Sequence, residues 1–141
     1  MNKKIGEGSQ GFAYLSTDTE TKEKVVVKLF KESPLVKATF KREIAPAECH
    51  ANHPNVLKLF GAGYAAAKNS DGEQIAEHYY TVSEYAPKGE LFCFVDRTKG
   101  FEAPVARTLF KQALAGVQCI HAKNIAHRDI KPENFFLDEK C

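Results

Sequence analysis

The sequence predicts an α+β chain: a five-stranded antiparallel sheet carrying one helix, followed by a helical second part. Three observations point there. Residues 1–30 alternate short apolar runs with turn signals. The run Val25-Val26-Val27-Lys28-Leu29-Phe30 is β-branched and of strand type. From Glu102 to Ala122 apolar residues recur at helical spacing.

Taken in order, Ile5 and the Phe12–Leu15 run flank a glycine cluster, and the polar stretch 18–24 reads as a hairpin loop. Residues 1–30 are therefore three antiparallel strands. Leu35 to Ala51 is a helix candidate that Pro46 should end or kink nearby, since proline costs roughly 3 kcal/mol inside a helix. Val56–Tyr64 and Tyr79–Tyr85 supply two more strands. The turn cluster Asn69-Ser70-Asp71-Gly72 between them reads as a surface insertion. In the 102–122 helix, Leu109, Ala113, Gly116 or Val117, and Ile120 fall on one face, with Phe110, Leu114, Val117 and His121 beside it. Pro104 is tolerable in its first turn.

Composition narrows the classes. Of the 141 residues 43% are hydrophobic and 27% charged, a globular balance. A net charge of +2 is too mild to argue for nucleic acid or an anionic membrane surface. No apolar run approaches the roughly 18 residues of a membrane helix. The glycine cluster Gly6–Gly11 follows the short basic start where a secretory signal would place an apolar segment. Cys49, Cys93, Cys119 and Cys141 form no C-x-x-C pair, so reduced thiols in a cytoplasmic or nuclear protein are expected.

Three motifs carry chemistry. Gly6-Glu7-Gly8-Ser9-Gln10-Gly11 is a G-x-G-x-x-G pattern. Its dinucleotide-binding version needs a helix after it, whereas here a short segment and a charged loop follow, so strand–turn–strand fits better. Glycines there let backbone N–H groups approach phosphate oxygens; a plain glycine-rich hairpin is the bland alternative. Lys28 ends a run of valines, where a lysine is ordinarily a solvated charge. A helix carrying Glu43 after that strand could bring a carboxylate to its ammonium and hold it toward bound phosphates. The strongest signal is His127-Arg128-Asp129-Ile130-Lys131-Pro132-Glu133-Asn134. Pro132 excludes a regular helix, which leaves a loop, and the H-R-D-x-K-P-E-N pattern is too long for a chance polar turn.

With these motifs in this order, the sequence resembles the eukaryotic protein kinase superfamily. The lysine after the aspartate points to its serine/threonine branch, calcium/calmodulin-dependent or SNF1-like in flavour. The resemblance covers nearly the whole chain and about half of the family's domain. It implies a nucleotide-binding lobe over residues 1–85, then the linker, the start of the helical lobe and the catalytic loop over 86–141. Gly6, Gly8 and Gly11, with Ile5 and Ala13 beside them, match the loop over the nucleotide. Lys28 matches the lysine that contacts the α- and β-phosphates, and Glu43 its helix partner, with Glu48 as rival. Ser83 matches the gatekeeper, and Glu84 and Ala86 the linker groups that meet adenine through the backbone. Glu90 matches a residue near ribose or substrate, and Phe136 the adenine floor. Asp129 matches the catalytic aspartate, Lys131 approaches the γ-phosphate, and Asn134 is a magnesium ligand. ATP and Mg²⁺ are the implied cofactors and a protein serine or threonine the implied substrate, with no nucleic acid or membrane partner.

The resemblance also marks departures. Ala13 stands where the family has valine, Val26 where it has alanine, and Phe136 where it has a smaller aliphatic residue, which implies a reshaped adenine slot. The D-F-G magnesium aspartate would follow about one hairpin after Asn134, yet the sequence stops at Cys141. On that basis Leu109, Phe110, Leu114 and Val117 are expected to lose cover and to favour association through the helix face. A non-catalytic nucleotide-binding or interaction remnant of a kinase is the competing reading. A Rossmann oxidoreductase is disfavoured because no helix follows the glycines.

Overall fold

A computed structural model describes residues 3–48, 53–68 and 74–140. The elements run β1 (Lys3–Glu7), β2 (Gly11–Thr17), β3 (Lys24–Phe30), α1 (Val36–Glu48), β4 (Leu59–Lys68), β5 (Gln74–Glu84), β6 (Gly89–Glu90), α2 (Leu91–Thr98), α3 (Ala103–His121), a 3-10 turn (Pro132–Asn134) and β7 (Phe136–Leu137). The chain divides into two compact units, one formed by Met1–His50 with Leu57–Tyr85, the other by Ala51–Val56 with Ala86–Cys141.

The first unit is a five-stranded sheet in the order β1-β2-β3-β5-β4 with α1 packed on it. All four strand pairings are antiparallel. The β2–β3 hairpin turns where the Asp18 carboxylate accepts the backbone N–H groups of Glu20 and Thr21, both at 2.8 Å. Those two donors, Thr21 first, hold the carboxyl below its ordinary range. Val25, Leu29, Phe30 and Phe40 form the buried core. The Phe30 ring meets Phe40 edge-on at 5.7 Å, and Tyr79 lies 4.8 Å beyond Phe40, so aromatic packing fastens the helix to the sheet.

The boundaries differ from the sequence reading for local reasons. Strand β4 starts at Leu59 instead of Val56, because Val56 N–H closes a turn onto His53 O at 3.0 Å. It continues through the alanine-rich 65–68 segment because β5 begins at Gln74 and supplies partners there. Pairing thus overrides the weak strand preference of alanine. The turn cluster at 69–72 lies outside the described residues. Helix α1 passes Pro46 and is described to Glu48.

In the second unit β6 and β7 form a two-stranded ribbon. Helix α2 was not expected from the sequence. It ends where Lys99 and Gly100 take positive φ of 57° and 129°. Helix α3 places Pro104 in its first turn and buries Gly116 and Ile120. Phe110 and Leu114 are exposed on it, while Leu109 and Val117 are half-buried. No helix among the described residues is long and apolar enough to cross a membrane. Cys93 and Cys119 carry free thiols; Cys49 and Cys141 lie outside the described residues.

Candidate active site

The first unit gathers the glycine turn, Lys28 and Glu43. The turn joins β1 to β2, and Gly8 N–H closes it onto Gly11 O at 2.9 Å. In the sheet register Ala13 on β2 pairs with both Gly6 on β1 and Lys28 on β3, so all three sit side by side across adjacent strands. Lys28 Nζ donates to Glu43 Oε1 of α1 at 2.5 Å, with side-chain exposures of 27% and 34%. That partial burial makes the pair less screened than a surface bridge. The same ammonium donates to Gln10 Oε1 at 3.3 Å and stands 4.8 Å over the Phe30 ring. The side chain of Glu48, the alternative partner, lies outside the described residues.

The glycines have separate reasons to be glycine. A Cβ on Gly11 would stand 2.1 Å from Leu29 O, because β3 passes directly beneath it. A Cβ on Gly8 would meet nothing within 4 Å. Gly11 therefore serves strand packing, and Gly8 leaves empty space where a side chain would stand, while its N–H and carbonyl are bonded to Gly11 O and Lys31 Nζ. Ile5 is exposed beside them on β1.

A clamp that the sequence reading missed fixes this turn from behind. Lys31 donates its backbone N–H to Gln10 O at 2.8 Å and its Nζ to Gly8 O at 3.1 Å and Glu7 Oε1 at 2.9 Å. Lys4 Nζ donates to Glu7 Oε2 at 2.6 Å. Both ammonium groups also face the Phe12 ring, at 4.6 and 4.7 Å. The hydrogen bond from Lys31, then that from Lys4, brings the Glu7 carboxyl down to about 2.

At the end of β5, Glu84 N–H donates to Lys58 O at 3.0 Å and its Oε1 accepts Lys58 N–H at 2.6 Å. Glu84 thereby closes the start of β4 with both its backbone N–H and its side chain. Ser83 pairs with Val26 and with Leu59.

The second unit holds the remaining candidates. Ala86 O accepts Gly89 N–H at 3.2 Å in a turn leading to β6, with Gly89 at φ 79°. Glu90 is the register partner of Phe136, whose side chain is half exposed. The His127–Asn134 segment is a loop closed by one 3-10 turn, with Pro132 at its first position where no N–H is needed. Asn134 Nδ2 donates to both Asp129 O and Asp129 Oδ2, at 2.8 Å each. Lys131 Nζ lies 3.1 Å from Asp129 Oδ2, and Asp129 N–H reaches His127 Nδ1 at 3.3 Å. Arg128 takes a φ of 67°, a conformation non-glycine residues rarely adopt, so the loop holds a strained backbone beside Asp129. The hydrogen bond from Asn134, followed by that from Lys131, keeps the Asp129 carboxyl below its ordinary range.

The donor set suits magnesium. Asn134 turns its amide nitrogen to Asp129, which leaves Oδ1 as a hard oxygen donor. Among the described residues no group of three or more His, Cys, Asp or Glu could hold a metal ion.

Comparison with known proteins gives a consistent result. A family profile described as the protein kinase domain matches residues 1–141. The CBL-interacting serine/threonine-protein kinase 12 of Arabidopsis thaliana is 35% identical over 143 residues, covering 99% of this chain and 27% of that protein. Aurora kinase A-A of Xenopus laevis is 30% identical over 140 residues, covering 97% of this chain and 32% of that protein. The probable serine/threonine-protein kinase MARK-C of Dictyostelium discoideum is 33% identical over 141 residues, with 98% and 17% covered. The chain spans about a third or less of the length of these relatives.

Proposed function

This chain belongs to the protein kinase domain family, and we propose that it supplies the nucleotide-holding and catalytic-loop parts of an enzyme that transfers the γ-phosphate of ATP to serine or threonine hydroxyls of proteins. The observation that carries the reading is the Asp129 carboxylate, held in place by Asn134 and Lys131 in a loop of sequence H-R-D-I-K-P-E-N. The names of its relatives as serine/threonine kinases support the choice of acceptor.

Phosphoryl transfer asks for positioning and for cations around a charged group. In the proposed reaction the Gly8 backbone comes close to the phosphates, and Lys28, steadied by Glu43, neutralises their oxygens. Asp129 accepts the proton of the attacking hydroxyl as its oxygen bonds to the γ-phosphorus and the bond to the bridging oxygen breaks, releasing ADP. Lys131 moves from Asp129 to the transferring phosphoryl oxygens. Asn134 Oδ1 would hold magnesium, which when bound supplies charge neutralisation to the phosphates. Ala86 and the Glu84 carbonyl would meet the adenine edge, Phe136 its face, and Glu90 the ribose or substrate. The Glu84 N–H is already committed to Lys58 O, so only its carbonyl enters the proposal. A cytoplasmic or nuclear setting, where protein and Mg-ATP are at hand, completes the proposal.

The test is transfer from γ-labelled Mg-ATP to serine, threonine and tyrosine peptides by the complete protein. Serine or threonine labelling should fall about 10²–10⁴-fold in Asp129→Asn. ATP binding without any transfer by the unaltered protein would favour the non-catalytic reading instead. Transfer that survives Asp129→Asn undiminished would overturn the assigned role.

A further inference from the structure

We infer that Gln10 competes with the nucleotide's phosphates for Lys28, so that nucleotide binding exchanges a neutral amide for a phosphate oxygen and Gln10 sets the affinity. The inference rests on the proposed kinase reading and concerns a residue which that reading leaves without a role.

An ammonium has three donors and no acceptor, so it must be met by oxygens or by a ring face. Around Lys28 Nζ those directions are taken by Glu43 Oε1 at 2.5 Å, Gln10 Oε1 at 3.3 Å and the Phe30 ring at 4.8 Å. A phosphate oxygen reaching Lys28 has to displace one of them. Phe30 is 1% exposed and fixed in the core. Glu43 offers a full opposite charge at 2.5 Å, which adds Coulomb attraction that a neutral amide lacks. Gln10 offers a long bond from a neutral carbonyl, and it sits in an exposed turn. It is the partner that yields.

The contact is not a loose side chain's accident, because the backbone beneath it is tied. Lys31 N–H binds Gln10 O at 2.8 Å, and Gly8 N–H binds Gly11 O at 2.9 Å, which fixes Gln10 at the edge of β3. Lys31 Nζ holds Gly8 O from behind. The turn is thus anchored on one side and bridged to Lys28 by the Gln10 amide on the other.

Gln10→Met keeps the reach of the side chain and removes its carbonyl; Gln10→Ala removes both. ATP affinity is measured by calorimetry on the full chain, with adenosine as a probe that lacks phosphates. In parallel, acylation of Lys28 by an amine-reactive reagent is followed by mass spectrometry without nucleotide. Both variants should bind ATP about two- to tenfold more tightly, the range one such hydrogen bond spans, and adenosine unchanged. Lys28 should acylate faster in both, with Lys37 and Lys41 unaffected. ATP affinity equal to or weaker than that of the unaltered chain, or an unaltered Lys28 rate, would overturn the inference. An unaltered chain that binds neither ATP nor adenosine would sink the kinase reading and this competition together. The acylation rates would then still report whether Gln10 shields Lys28.

Discussion

Gly11 and Gly8 belong to one sequence pattern, yet an added methyl should act on them in opposite ways. At Gly11 a Cβ would stand 2.1 Å from Leu29 O, 3.0 Å from Leu29 C and 3.2 Å from Phe30 Cα. Ordinary contact begins at 3.4 Å, so the strands must part by about 1 Å. Those neighbours are backbone atoms and cannot rotate away. The residues they belong to are core, Leu29 at 5% and Phe30 at 1% exposure. Overpacking of this kind costs about 1–3 kcal/mol, against which the entropic gain of replacing glycine returns at most about 1 kcal/mol. Gly11→Ala should therefore lose about 1–2 kcal/mol in urea unfolding. At Gly8 a methyl meets nothing within 4 Å and no left-handed φ opposes it. Gly8→Ala should leave stability within about 0.5 kcal/mol and, under the proposed function, weaken ATP binding by crowding the phosphates. A Gly11→Ala variant as stable as the unaltered chain would refute the packing argument. A Gly8→Ala variant that is destabilised but binds ATP normally would refute the division of labour.

Three further outcomes follow from the same contacts. Phe30→Ala removes the most buried large side chain among the described residues and its edge-on contact with Phe40. It should cost about 3–5 kcal/mol by calorimetry, and a loss below about 1 kcal/mol would contradict the core assignment. Glu7 has its carboxyl lowered from 4.5 to about 2, so the stabilisation it gives the turn is present above pH 4.5 and fades as pH falls toward 2. A carboxyl carbon NMR titration should show that midpoint, and a value near 4.5 would mean that Lys31 and Lys4 do not hold it. Asn134→Leu removes the first cause of the lowered Asp129 carboxyl. The Asp129 midpoint should rise, and an unchanged midpoint would mean that Lys131 alone sets it.

How far the sequence could be read depended on whether a feature is local. The valine run, the Asp18 turn and the helix from Ala103 each carry their own signal within a few residues. The H-R-D-x-K-P-E-N segment does too, and its one helical turn begins at the proline that breaks longer helices. Helix α2 was missed because it is only eight residues long, lacks a side-chain cap and buries none of its residues. The extension of β4 to Lys68 was missed because alanine's strand preference is weak and the partner strand lies across a loop. The Lys31 clamp was missed for a related reason. Lys31 reaches Glu7 across 24 residues and Gly8 across 23, separations that only sheet register brings to contact distance. Gln10 stands in the sequence as a polar residue at the tip of the glycine turn, but its distance from Lys28 is again a matter of register.

The candidate residues share one electrostatic property that bears on how the site works. Lys28 is matched by Glu43, Lys31 by Glu7, and Asp129 by Lys131, each within its own unit. Under the proposed function, no such pair holds bare charge in wait for a polyphosphate, and binding at each is an exchange of partners. Exposure orders the exchange. The Lys131–Asp129 pair is open to solvent, with side-chain exposures of 46% and 60%, and is weak because water screens it. The Lys28–Glu43 pair, at 27% and 34%, is the better shielded and the shorter. A phosphoryl group should therefore draw Lys131 away easily, which releases Asp129 to receive a proton, while Glu43 keeps its hold on Lys28 and preserves the direction of the ammonium. Under the proposed function the two lysines would thus divide the work by burial: the shielded one positions, and the exposed one moves.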